Sequence, residues 1–395
     1  MEEIVICGAA RTAIGGFQGS FAELSAPELG GQAIRAALGS IPGDRVSELL
    51  MGCVLPAGQG QAPARQAGFH AGLPRDVPAT TVNKMCGSGM KTVMLAFDQL
   101  RAGASGLVVA GGMESMTKAP YLLPKMRAGA RLGHAQALDH MFLDGLEDAY
   151  ARDAAGGGRL MGTFAEDCAS AFGFSRQAQD AFALASLERA RAAAANGAFA
   201  DEITPVEVTT RAGTTSISED EQPGTARPEK IPLLKPAFRA GGTVTAANSS
   251  SISDGAAALV LATRSTAERG ALPIRARILG HAGHAQAPAD FPTAPVPAAQ
   301  KLLGRLGLTA ADIDLWEVNE AFAVVPMAFM RELGLSHERV NVNGGACALG
   351  HPIGASGARI LVTLLNALEK RGLRRGLAAI CIGGGEGTAM VIERV

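Results

Sequence analysis

Two thiols and one imidazole in this chain are each framed by glycine, and that framing is what gives them chemical interest. Cys86 is followed at once by Gly87-Ser88-Gly89, after the strand-like run Thr80-Thr81-Val82-Asn83 and before apolar positions that recur with helical period over residues 90–100. A thiol at a helix N-terminus feels the positive end of the macrodipole, which favours the nucleophilic thiolate. A buried cysteine in a tight turn has the same local sequence. His351 sits in Gly350-His351-Pro352-Ile353-Gly354, a loop whose proline and glycines fix the backbone and leave the ring little covered. That suits a base reaching a thiol, and a satisfied structural histidine is the plainer reading. Cys381 ends an apolar run just before Gly383-Gly384-Gly385, whose N–H groups are suited to holding an oxyanion. A core cysteine is equally normal there. Asn319-Glu320-Ala321-Phe322 places an amide after another apolar run, a weak signal alone.

These residues need elements to bring them together. Residues 4–6 read as a buried strand ending in a turn at Gly8-Ala9-Ala10, and residues 26–38 as an amphipathic helix. The strand before Cys86, the helix after it and a strand at 107–110 form a β-turn-α-β unit, which expects a parallel sheet with a right-handed crossover. The unit recurs near the C-terminus. Val340-Asn341-Val342-Asn343 resembles the strand before Cys86, Gly354-Ala355-Ser356-Gly357 resembles its turn, and a helix at 358–368 and a strand at 377–382 follow. Gly383-Gly384-Gly385-Glu386 ends the second unit much as Gly111-Gly112-Met113-Glu114 ends the first. Two similar α/β halves related by a pseudo-twofold follow from this duplication. Between them, residues 117–242 differ in character and read as an inserted lid or ligand-binding region, with an Ala-rich helix at 175–196 and an exposed acidic loop at 218–230. A strand at 257–262 then returns to the first half.

Composition sets the limits. A chain of 395 residues suits two or three domains, and 47% hydrophobic residues suffice for their cores. With 36 basic against 37 acidic residues, no global field draws the chain to nucleic acid or a membrane surface, so an acidic ligand needs a local basic patch. The apolar runs are too short to span a bilayer, the N-terminus lacks a signal-peptide pattern and the C-terminus a peroxisomal one, which places the expectation in the cytoplasm. The six cysteines are dispersed without CxxC or Cys/His metal spacing and should stay reduced. The dinucleotide fingerprint fails, since its third glycine position is Thr388, and no P-loop lysine follows either glycine turn.

Together, Asn83-Lys84-Met85-Cys86-Gly87-Ser88-Gly89, Gly111-Gly112-Met113-Glu114-Ser115-Met116, Asn319-Glu320-Ala321-Phe322-Ala323, Gly350-His351-Pro352-Ile353-Gly354-Ala355-Ser356-Gly357 and Cys381-Ile382-Gly383-Gly384-Gly385 resemble the motifs of the thiolase family, in family order over nearly the whole chain. The resemblance is to the biosynthetic type. It implies an α/β thiolase-like fold: an N-terminal half at 1–116 continued by 243–268, an inserted loop domain at 117–242 for coenzyme A binding and tetramerisation, and a C-terminal half at 269–395. It implies reversible Claisen condensation of two acetyl-CoA to acetoacetyl-CoA and CoA, a step of fatty acid metabolism, with no metal or redox cofactor.

In that resemblance Cys86 carries the acyl group, His351 takes its proton, and Cys381 removes the α-proton of the second substrate. Asn319, through a water, and His351 steady the enolate oxygen, while the N–H groups of Cys86 and Gly383 hold the acyl oxyanion. Leu146, Met161, Phe238, Ala246, Ala321 and Phe322 line the coenzyme tunnel and Ser250 meets the pantetheine. The segment 115–141 resembles a tetramerisation loop, so a homotetramer (a dimer of dimers) is expected. Leu160, Gly224 and Glu386 depart from the pattern: a histidine, an arginine near the nucleotide and a hydrophobic residue are common there, with Arg227 a substitute for the arginine. A ketoacyl-synthase-type condensing enzyme has no use for Cys381. A degradative 3-ketoacyl-CoA thiolase of broader chain length is the nearer alternative.

Overall fold

The computed structural model describes residues 2–152, 157–211 and 213–395. The first half runs β1 (Ile4–Thr12), α1 (Ala26–Leu38), β2 (Glu48–Gly52), β3 (Ala79–Val82), α2 (Ser88–Arg101) and β4 (Leu107–Ser115). After a middle stretch containing α3 (Arg176–Ala195), β5 (Ser253–Thr263) completes it. The second half follows as β6 (Ala276–Ala285), α4 (Pro295–Leu306), β7 (Leu315–Val318), α5 (Ser356–Arg371), β8 (Arg375–Ile382) and β9 (Glu386–Arg394). Its strands order as β7-β8-β9-β6, and the first half continues as β1-β5-β4-β2-β3. Read outward from the antiparallel β1–β6 seam at Ile4↔Ile278, both halves show two antiparallel pairings and then a parallel one. The pseudo-twofold passes through that seam. The sheet is mixed rather than parallel, because β5 and β9 enter antiparallel beside the βαβ units.

The core explains the site. One apolar cluster joins α2 and α5 to the inner faces of both halves, through Met90, Val93 and Phe97 on one helix and Ile360, Leu361 and Leu364 on the other. Separate clusters cover the outer faces beneath α1 and α4. Helix α5 is therefore apolar on nearly all sides and buried from Ser356 to Leu368. The two inner helices meet at their N-termini because each has glycine as its second residue: a Cβ on Gly89 would lie 2.7 Å from the Ala358 nitrogen, and one on Gly357 2.4 Å from the Met90 nitrogen. Whatever precedes each helix is thereby brought together, and what precedes them is Cys86 and the His351 loop.

Several sequence expectations change here. The chain does not turn at Gly8-Ala9-Ala10: β1 runs on to Thr12 with a register shift between Ile6 and Gly8. Gly8 is needed for close packing, since a Cβ there would sit 2.0 Å from the Ala37 carbonyl oxygen of α1. Likewise β4 passes through Gly111-Gly112 to Ser115, whereas β8 does end at its glycines. The strand expected at 340–343 shrinks to a single bridge, Val340 with Trp316. Asn341 takes a positive φ of 49° and its side chain replaces the ladder, accepting from the Val318 nitrogen at 2.8 Å and donating to the Val318 oxygen at 2.8 Å.

The stretch 218–230 is not simply an exposed loop. It contains a short helix, Glu221–Thr225, and Asp220, which together with Glu202 pairs with the buried Arg11 at 2.7 and 2.6 Å. Removing one partner of a buried network strands the others. Arg11→Met should therefore lower stability by about 3–5 kcal/mol, read as a fall in the urea or thermal midpoint, and an unchanged midpoint would contradict it. Among the described residues no helix is long and apolar enough to cross a membrane.

Candidate active site

Cys86 follows β3 in a loop tied down by its own polar groups. The Asn83 carboxamide oxygen accepts from the Met85 nitrogen at 3.0 Å, and the Ser88 hydroxyl accepts from the Lys84 nitrogen at 2.8 Å while donating to the Met85 oxygen at 2.6 Å. These bonds hold Met85 in the left-handed region, φ 46°, a conformation that costs a non-glycine residue roughly 1–3 kcal/mol. Such an outlier directly before a candidate nucleophile aims it. The backbone N–H groups of Gly383 and of Cys86 itself point at the sulfur and favour the thiolate, but burial outweighs them and pushes the thiol up to about 11. Desolvation thus opposes the preference for thiolate that a helix N-terminus gives.

His351 is buried, and burial, helped by the Arg359 charge, brings its pKa down to about 3, so the ring is neutral. The network assigns its tautomer. The Ser356 hydroxyl gives its one proton to the Pro352 oxygen at 3.0 Å, so it accepts from His351 Nδ1 at 2.5 Å. The proton therefore sits on Nδ1. Nε2 keeps its lone pair and has no partner among the described residues. A neutral base and a neutral thiol are thus presented to one space.

That space is a cavity of about 380 Å³, lined by Cys86, His351 and Gly383 together with Leu146, Met161, Phe238, Ala246, Ser250, Ala321 and Phe322. Its size and apolar walls suit a small organic ligand. Cys381 and Asn319 do not line it. Both are fully buried at strand ends, and Cys381 lies close enough to Cys86 that a charge there raises its own thiol pKa further, beyond the larger effect of burial. Neither end of the Asn319 amide has a hydrogen-bond partner among the described residues, unusual for a buried amide outside a functional site. A second cavity of about 270 Å³ shares Ala246, Ser249 and Ser251 with the first and carries Arg227 and Lys230.

Sequence reading missed some of this. Met85, Met116, Phe142 and Ile353 also line the first cavity, beside Leu160, whose departure from the family pattern was visible in the sequence; scattered apolar residues give no signal of a shared wall. Glu114 accepts from the nitrogens of Val54, Leu55 and Gly354 at 2.9, 3.1 and 2.9 Å and from the Cys53 thiol at 3.5 Å, tying the His351 loop to β2 and β4. Burial pushes its carboxyl up to about 7, yet four donors and no acceptor argue for the ionised form. Ser356 was legible only as part of a glycine turn. Among the described residues no group of three His, Cys, Asp or Glu could hold a metal ion.

Twin α/β halves with two thiols and an imidazole gathered where they meet define a class. Residues 4–265 match the family model of the thiolase N-terminal domain and residues 272–394 that of the thiolase C-terminal domain. The chain belongs to the thiolase family. Within that family it is 51% identical over its full length to the whole of an acetyl-CoA acetyltransferase of Escherichia coli and 48% identical, again end to end, to one of Pseudomonas aeruginosa. The crystal structure of the Bacillus anthracis acetyl-CoA acetyltransferase superposes with a TM-score of 0.96 at 38% identity, covering 100% of this chain and 99% of that one. A thiolase of Ascaris suum in complex with coenzyme A superposes at 0.93 with 40% identity over 100% of both chains.

Proposed function

We propose that this chain is an acetyl-CoA C-acetyltransferase, joining two acetyl-CoA into acetoacetyl-CoA and CoA and running the reaction in reverse. The observation that carries it is the cavity shared by Cys86, the free Nε2 of neutral His351 and the Gly383 N–H, with a second thiol behind it. In the forward direction His351 Nε2 takes the Cys86 proton as the sulfur attacks the thioester carbonyl. The N–H groups of Cys86 and Gly383 hold the oxyanion. The carbon–sulfur bond to CoA breaks, and the departing thiolate takes the proton of Cys381. Cys381 thiolate then removes an α-proton from the second acetyl-CoA, whose enolate oxygen is steadied by protonated His351 and, through a water, by Asn319. The carbanion attacks the acyl carbonyl, a carbon–carbon bond forms, and Cys86 leaves to recover its proton from His351. Protons and electrons balance without metal or redox cofactor.

The coenzyme's pantetheine would run along Leu146, Met161, Phe238, Ala246, Ala321 and Phe322. Ser250 donates to the Ala321 oxygen at 3.1 Å, so its remaining lone pairs face a ligand amide N–H. The phosphates would meet Arg227 and Lys230 of the adjoining cavity, which supply the local basic patch that the neutral net charge demands. Residues 117–242 serve this binding, and the exposed Tyr121, Leu123, Met126 and Leu132 form an apolar surface for a homotetramer. Two catalytic thiols need a reducing compartment, which favours the cytoplasm.

Thiolysis kinetics separate this from the broad-chain degradative reading. Acetoacetyl-CoA should exceed 3-ketohexanoyl-CoA in kcat/KM by about 10-fold or more, the usual worth of extra methylenes in a fitted pocket. A longer substrate that matched or exceeded it would move the enzyme to the degradative type, consistent with the apolar Leu160 and Ile353 in the wall.

A further inference from the structure

Lys84 lies two residues before Cys86, and Glu386 three residues after Gly383. The two side chains form an ion pair across 302 residues of sequence, joining the loops that supply the nucleophile and the oxyanion donor. Two further contacts join the same loops. One is the Gly383 N–H aimed at the Cys86 sulfur. The other is Gly87 against Ile382, so close that a Cβ on Gly87 would fall 2.4 Å from the Ile382 side chain. Gly383-Gly384-Gly385 includes two positive φ values, 95° and 87°, and glycine has the most conformational freedom to lose, so this loop depends on its neighbours to hold it. Neither Lys84 nor Glu386 lines the cavity. With side-chain exposures of 26% and 38%, the pair adds little to global stability. Its consequence is local.

We infer that the Lys84–Glu386 ion pair is a clamp that positions the Gly383 N–H against Cys86, making both positioning residues for the transfer reaction. The inference rests on the roles proposed for Cys86 and Gly383. It also gives the charge of Glu386, a departure from the thiolase pattern, a partner and a task. Small displacements of oxyanion donors are expensive in rate and cheap in fold. Lys84→Met and Glu386→Gln should each lower kcat about 10-fold, with KM for acetyl-CoA and the thermal midpoint near wild type. The reversed pair, Lys84→Glu with Glu386→Lys, should recover kcat to within about 3-fold of wild type.

Raising ionic strength should lower kcat of the wild type more than that of the uncharged double variant Lys84→Met with Glu386→Met. A merely structural pair would lower the midpoint and leave the kcat of folded enzyme alone. The clamp is overturned if the single variants keep wild-type kcat, or if the reversed pair is no faster than the singles. An inactive wild-type enzyme would instead remove the proposed reaction itself.

Discussion

Cys86→Ala should abolish acetyl transfer, lowering kcat by at least about 10,000-fold, because the acyl group then has no covalent carrier and only the binding groups remain. The fold should survive: the loop around residue 86 is held by Asn83, Ser88 and the crossing of α2 with α5, none of which uses the sulfur. The thermal midpoint should stay within a few degrees of wild type, and no label from acyl-CoA should attach to the protein. Retained cleavage of acetoacetyl-CoA would defeat the assignment. The pKa directions sharpen the test. With the thiol at about 11 and His351 at about 3, the resting pair is neutral across the physiological range. Below the thiol pKa only a small thiolate fraction exists, and it grows with pH. Alkylation of the free enzyme's Cys86 should therefore keep climbing from pH 6 to 9. A plateau already reached below pH 7 would mean a stable thiolate–imidazolium pair.

How much of this was legible beforehand varies with the kind of signal. Helical period placed α1 at its observed residues, and the α2 and α5 runs within two or three residues of theirs, because each buries a continuous apolar face. Internal likeness between the glycine turns exposed the pseudo-twofold. Glycine misled where it served packing rather than turning, as at Gly8 and Gly111-Gly112, since sequence does not distinguish a close neighbour from a bend. The side-chain ladder of Asn341 was equally invisible.

At the site, the framed residues Cys86 and His351 converged, and the apolar positions drawn from family likeness fall on one cavity. The electrostatics did not follow from the motif. A helix N-terminus argued for thiolate, whereas the desolvation that opposes it depends on everything packed around the sulfur. Ser356 and Glu114 act through hydrogen bonds to loops distant in sequence, which no spacing reports.

The division of labour between the thiols yields the other large effect. Cys381→Ala should lower the rate of condensation about 1,000-fold, within the usual span for loss of a general base, while acyl-CoA still labels Cys86 stoichiometrically. The reason is positional. Acylation needs the Cys86 thiol, the His351 lone pair and the N–H groups of Cys86 and Gly383, all at one cavity. Protonated His351 can return its proton to the departing CoA when Cys381 is missing. Removal of the α-proton has no such substitute, because in the proposed arrangement His351 is engaged at the enolate oxygen rather than at the α-carbon, and Asn319 is not a base. The alanine also leaves the end of β8 intact, since its ladder to β9 at Cys381↔Gly387 uses backbone atoms alone. Mass measurement of the protein after a pulse of acetyl-CoA reads the acyl-enzyme, and product assay reads the condensation. If the label vanished together with the condensation, the two sulfurs would be acting as one unit rather than as nucleophile and base.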